Sequence, residues 1–180
     1  MARQDFGRRQ LQSGGSSAEE LPVHALTTAE ALLVWGIRHW VGCLKARTDP
    51  IPLMTAGFGS GGVGGAVRPL EAILMLTLDT ATSPRDVRCT HCATVGDGER
   101  DLLAAVAFEQ AGRAADTIGK LREWLPPAAS RVAKDLVAEI ARAFHNCELI
   151  VPPRREYGSR RVGGHYPDIR AAVPASLAVH

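Results

Sequence analysis

The fold this sequence predicts is all-α, on three observations. Apolar residues recur at alternating spacings of three and four along residues 26–147. No stretch alternates apolar and polar residues for long enough to found a strand, and Leu149-Ile150-Val151 is the only β-like triplet. Helix-starting and helix-stopping residues punctuate the pattern at short intervals. The expectation is a single small helical bundle of about five helices over residues 25–149. It is flanked by a disordered tail at 1–24 and an irregular basic tail at 150–180.

The first helix opens at Thr27-Thr28-Ala29-Glu30, where a hydroxyl is followed three residues later by a carboxylate, the pattern of a capping box. Leu33, Ile37, Trp40 and Leu44 form one apolar stripe, and Leu32, Trp35, His39 and Cys43 a second beside it. Two stripes imply burial around much of the helix. Asp49-Pro50 and Pro52 end it near Arg47, because proline lacks the amide proton and restricts the residue before it.

Residues 50–68 read as a loop. Their Gly57-Phe58-Gly59-Ser60-Gly61-Gly62-Val63-Gly64-Gly65 core has no Gly-Lys-Ser/Thr ending and no preceding strand, so it lacks both phosphate-loop signatures. A flexible linker is expected there. Four apolar residues in it, Ile51, Leu53, Met54 and Phe58, mark a surface on which a partner protein would dock.

Pro69 suits the first turn of the next helix, whose Leu70, Ile73, Leu74, Met75, Leu76 and Leu78 make it the expected central core helix. It stops before Ser83-Pro84. Asp97, Glu99 and Asp101 then complement the dipole of a helix running through Leu102, Leu103, Val106 and Phe108 toward Gly112. Ala114, Ile118, Leu121 and Leu125 form the next apolar face, and Pro126-Pro127 starts the last helix, with Val132, Leu136, Ile140 and Phe144 inward. Residues 102–127 resemble one tetratricopeptide-type helix pair, which implies an antiparallel hairpin. No second copy follows at the 34-residue period such repeats need.

Composition limits the function. At 180 residues, 46% hydrophobic and 22% charged, the chain is long enough for one cored domain. A net charge of +2 does not by itself imply a polyanionic partner. Arginine far outnumbers lysine, which fits a GC-rich bacterial genome as well as anion binding. No apolar run resembles a signal peptide or a membrane span, so a cytoplasmic protein with no membrane contact is expected. In that compartment the four cysteines read as thiols or metal ligands rather than disulfides.

The sharpest chemical signal is a set of soft donors. His39 and Cys43 lie one turn apart on a helix, and Cys89-Thr90-His91-Cys92 has the two-residue gap that lets a turn wrap a metal. Together His39, Cys43, Cys89 and Cys92, with His91 as alternative nitrogen ligand, would give zinc a tetrahedral sulfur and nitrogen set. The same Cys89/Cys92 turn alternatively suits a thiol-redox or metal-dependent sensor or enzyme. Arg154, Arg155, Arg160 and Arg161 with Tyr157 and Tyr166 would let the tail track a nucleic-acid strand. No nucleophile, base and orienting residue are grouped in sequence. The expected function is that of a binding or regulatory protein held together by a structural zinc and acting through a protein partner.

Overall fold

The computed structural model describes residues 20–154. Expectations about residues 1–19 and 155–180, including the nucleic-acid reading of Arg155, Arg160, Arg161, Tyr157 and Tyr166, fall outside the described residues. Among the described residues the fold is all-α, with six helices and no strands: α1 Thr28–Ala46, α2 Ile51–Ser60, α3 Val67–Thr80, α4 Asp97–Gln110, α5 Ala114–Leu121 and α6 Pro127–His145. No helix among them is long and apolar enough to cross a membrane.

α1 starts where its capping box requires. The Glu30 amide donates to Thr27 Oγ1 (3.3 Å) and the Thr27 amide donates to Glu30 Oε2 (2.6 Å), satisfying two otherwise orphaned donors. Its stripe of Leu33, Ile37 and Trp40 is fully buried. The helix ends at Arg47, which takes a left-handed conformation as its C-cap (φ 56°).

The glycine-rich segment departs from the loop expected of it. Ile51–Ser60 is a helix, α2, with Pro52 in its first turn, and Met54 and Phe58 are completely buried. Glycine here serves close approach rather than flexibility. A Cβ on Gly36 of α1 would stand 2.5 Å from Phe58 Cε2, and one on Gly57 would overlap the Trp35 ring. The two glycines therefore let α1 and α2 meet through Phe58 and Trp35. Of the four residues expected to form a docking surface, two lie in the core and only Leu53 is well exposed.

The centre of the bundle is α4, not α3. Residues 101–107 are all buried, which places α4 among neighbours on every side, and its alanines at 104, 105 and 107 allow α5 and α6 to come close. On α3, by contrast, Met75 is exposed and only Val67, Pro69, Leu70, Ile73 and Leu74 are buried. α4 and α5 pack directly across the turn at Gly112 (φ 70°), as the helix-hairpin reading expects.

The inner face of α6 is rotated from the one predicted. Ala129, Ala133, Val137, Ile140, Ala141 and Phe144 point inward, while Val132 is 55% exposed. A strict row of four-residue steps advances 40° per step against the 3.6-residue turn, so Val132 ends up about 120° from Phe144. Only a mixture of three- and four-residue steps stays on one face.

Both ends of the described chain are fastened to the bundle. Leu21 is buried, and its carbonyl accepts from Val95 N (2.9 Å), while Val23 N donates to Ala93 O (2.8 Å). At the other end Val151 is buried, Val151 N donates to Gln110 Oε1 (2.8 Å), and Arg154 reaches Glu30. The folded unit thus takes in Leu21 and Arg154, residues the sequence places in its tails.

Replacing Phe58 by Ala should lower the unfolding free energy by about 3–5 kcal/mol, the range for emptying a buried aromatic site. Val132→Ala should change it by less than about 0.5 kcal/mol. Urea denaturation monitored by far-UV circular dichroism distinguishes the two, and a mild Phe58→Ala would contradict the placement of α2 in the core.

Candidate functional site

The site is built on the segment between α3 and α4. At its outermost turn Cys92 N donates to Cys89 O (3.1 Å), closing a β-turn with exposed Thr90 and His91 at its tip. That turn brings the two Cα atoms to 5.3 Å, within disulfide range, and Cys89 and Cys92 are bonded to each other. The expectation that the four cysteines are thiols or metal ligands rather than disulfides is thereby corrected for this pair. Cys43 and Cys147 are free. Cys89 is exposed and Cys92 half-buried.

Beneath the turn lies a buried ion pair that sequence reasoning did not place in the site. Arg38 of α1 donates from Nε to Glu99 Oε1 (2.7 Å) and from Nη2 to Glu99 Oε2 (3.0 Å), with side-chain exposures of only 4% and 0%. Arg38 also donates from Nη1 to Cys92 O and from Nη2 to Thr94 O, both 2.8 Å. Glu99 accepts from the Arg88 and Gly96 amides at 3.1 and 2.8 Å. The sequence carries a faint signal of this. Arg38 interrupts an otherwise apolar stretch, and Glu99 occupies the third helical position of α4, where a side chain can reach back to the preceding amide.

The loop is closed at its base as well. Gly98 N donates to Asp86 O (2.9 Å), and a Cβ on Gly96 would stand 2.7 Å from that same carbonyl. Arg88 pairs with Asp86 (2.8 Å). The Asp86 carboxyl is raised above its ordinary value, chiefly by burial, with Arg88 opposing the shift.

The two halves of the expected zinc site are not brought together. Trp35 and His39 stack at 4.4 Å between ring centroids on the side of α1 that meets α2, and His39 Nδ1 is 2.8 Å from Trp35 O. Arg38, the adjacent residue, points about 100° away around the helix toward Cys92. One face cannot serve both. Cys43 follows His39 by one turn, and His91 is exposed at the tip of the cysteine turn. Among the described residues no three His, Cys, Asp or Glu side chains are grouped so as to hold a metal ion.

A second charged cluster lies on the other side of α4. Lys120 Nζ is 2.7 Å from Asp101 Oδ1, and Arg85 Nη1 is 3.0 Å from Asp101 Oδ2. Arg85 also donates to Glu123 O (2.9 Å) and lies over the Trp124 ring, 5.3 Å from its centroid. Burial raises the Asp101 carboxyl above its ordinary value, and the two cations beside it offset part of that rise. The adjoining cavity of about 20 Å³, lined by Ile37, Ile73, Leu74, Leu102 and Trp124, has room for a water molecule rather than a metabolite. Compared with models of protein families, with curated proteins and with solved structures, the chain matches none.

Because Asp101 titrates higher in the fold than in the unfolded chain, the folded state holds its proton over the intervening pH window. Its contribution is most favourable below the ordinary value of 3.8 and is lost as pH rises through the raised value. The stability of the native chain relative to Asp101→Asn should therefore fall as pH is raised from about 3 to 7, the span over which perturbed carboxylates titrate. Denaturant unfolding of both proteins across that range measures the difference, and an increase with pH would contradict the assignment.

Proposed function

We propose that this protein is a small helical redox-responsive regulator, in which Cys89 and Cys92 interconvert between disulfide and dithiol and so alter the surface offered to a protein partner. The observation that carries the reading is the bonded Cys89–Cys92 pair, held at the surface on a turn fastened from beneath to the core. Thiol–disulfide exchange requires that an external thiolate reach one sulfur. Exposed Cys89 is the accessible one, and half-buried Cys92 is the leaving sulfur. Attack at Cys89 forms a mixed disulfide and releases Cys92 as thiolate. A second external thiol then attacks the mixed disulfide, leaving the protein dithiol and one oxidised small-thiol pair.

The surroundings favour a switch over a rapid oxidoreductase. Fast dithiol catalysts lower a cysteine pKa with a helix N-terminus or a neighbouring cation. Here α4 begins only at Asp97, beyond the turn, and the two cations nearest the cysteines, Arg38 and Arg88, are already engaged by Glu99 and Asp86. The described part of the tail contributes little to a nucleic-acid reading, since Arg154 is engaged by Glu30 at 2.6 Å and by Ala25 O at 2.9 Å. What changes with redox state is the exposed Thr90-His91 tip between the two sulfurs.

Alkylation of protein isolated without reductant should label Cys43 and Cys147 only, and labelling after reduction should add Cys89 and Cys92. Incubation in glutathione buffers from roughly −300 to −150 mV, a span bracketing cellular poises, should interconvert the two states reversibly. A pair that stays in one state throughout would defeat the proposal. Zinc that copurifies with the reduced chain and leaves on oxidation would instead assign the turn to metal binding.

A further inference from the structure

We infer that Arg38 and Glu99 are positioning residues for the Cys89–Cys92 couple, holding the reduced thiols in the arrangement from which the disulfide closes. This rests on the redox reading of the turn. The hydrogen bonds carry the inference further. Glu99 Oε1 accepts from Arg88 N, the amide immediately before Cys89, and Arg38 Nη1 donates to the carbonyl of Cys92 itself. Thr94 O and Gly96 N, just beyond the turn, are taken up by the same two side chains. The backbone is therefore gripped on both flanks of the four-residue turn.

None of these contacts involves a sulfur atom, so none depends on oxidation state. Arg38 and Glu99 come from α1 and α4, 61 residues apart, and both are buried in the bundle. Their positions are set by the core rather than by the loop. When the disulfide opens, two protons and two electrons pass to the cysteines from an external thiol pair. The flanking backbone at Arg88, Thr94 and Gly96 stays where the ion pair holds it, so that only the Thr90-His91 tip between the flanks is released. The two cysteines, whose Cα atoms stand 5.3 Å apart in the disulfide, then stay within reach of each other in the dithiol while the tip between them relaxes. Closure is thus an intramolecular step between preplaced groups, whose effective concentration is far above that in a free chain.

Glu30 and Arg154 provide an internal control. They form the same kind of two-point pair, at 2.6 and 2.8 Å, with Glu30 fully buried, but they fasten the segment after α6 to the start of α1 and contact neither flank of the cysteine turn. Loss of either pair weakens the fold. Only loss of Arg38–Glu99 should also change the chemistry of the cysteines.

The test equilibrates the full chain and its Arg38→Lys, Glu99→Gln and Glu30→Gln variants in glutathione redox buffers, then counts free thiols by alkylation and mass spectrometry. Arg38→Lys keeps the charge but loses the fork that spans Cys92 and Thr94. It and Glu99→Gln should reduce the equilibrium constant for disulfide formation by about tenfold, equivalent to a reduction potential about 30 mV higher. Glu30→Gln should leave that constant unchanged while lowering the melting temperature. In the unsubstituted chain, the Arg88 and Gly96 amides should remain protected from hydrogen exchange after reduction, a measurement that needs no variant. Unchanged constants in both Arg38→Lys and Glu99→Gln, an equal shift in Glu30→Gln, or loss of protection on reduction would each overturn the positioning role. A native pair that does not titrate at all removes the redox reading itself, and the inference with it.

Discussion

The buried pair of Arg38 and Glu99 organises the least regular part of this protein. Moving two charges out of water is unfavourable, and their attraction offsets that loss only when the remaining donors and acceptors are also used. Here they are. Arg38 donates to both Glu99 oxygens and to two loop carbonyls, while Glu99 accepts from two loop amides in return. The segment between α3 and α4 forms no helix and makes only one isolated bridge, Pro22 with Thr94, so its backbone groups need partners from elsewhere. The ion pair supplies four of them.

The same solution recurs at three other places where the bundle holds a non-helical segment. Glu30 completes the capping box of α1 and also receives Arg154 from a position 124 residues away. Asp101 on α4 gathers Lys120 from α5 and Arg85 from the segment leaving α3. Gln110 takes Leu149 O and Val151 N with its two amide atoms. Each polar side chain stands on a helix that also supplies core residues, so the helix packing sets its position and it in turn fixes a length of irregular chain. Tertiary order in the connections is borrowed from the bundle.

Legibility followed the range of the interaction. The Thr27–Glu30 box, the stop at Arg47, the turn at Gly112 and the restart at Pro127 depend on residues within one helical turn of one another, and their patterns are visible in the chain. α2 was hidden because glycine reads as flexibility. Gly36 and Gly57 are informative only once Phe58 and Trp35 are seen lying against them. Much of the cysteine turn was also readable, since a two-residue gap lets a single turn bring those sulfurs near. His39 and Cys43 share a helical face as their spacing implies, but spacing along one helix says nothing about which neighbour that face meets. It meets α2.

By itself, then, the sequence determined the all-α class, the approximate limits of five of the six helices and the close approach of Cys89 to Cys92. All of these follow from steric and hydrogen-bonding preferences that act over a few residues. Tertiary structure alone decided that α4 is central, that Val132 faces outward and that His39 turns away from the cysteine turn while its neighbour Arg38 turns toward it. The reason is geometric. Adjacent helical residues project about 100° apart, and which of them meets a given partner is set by the crossing of whole helices. That crossing results from every packed contact at once, including the Arg38–Glu99 bond across 61 residues.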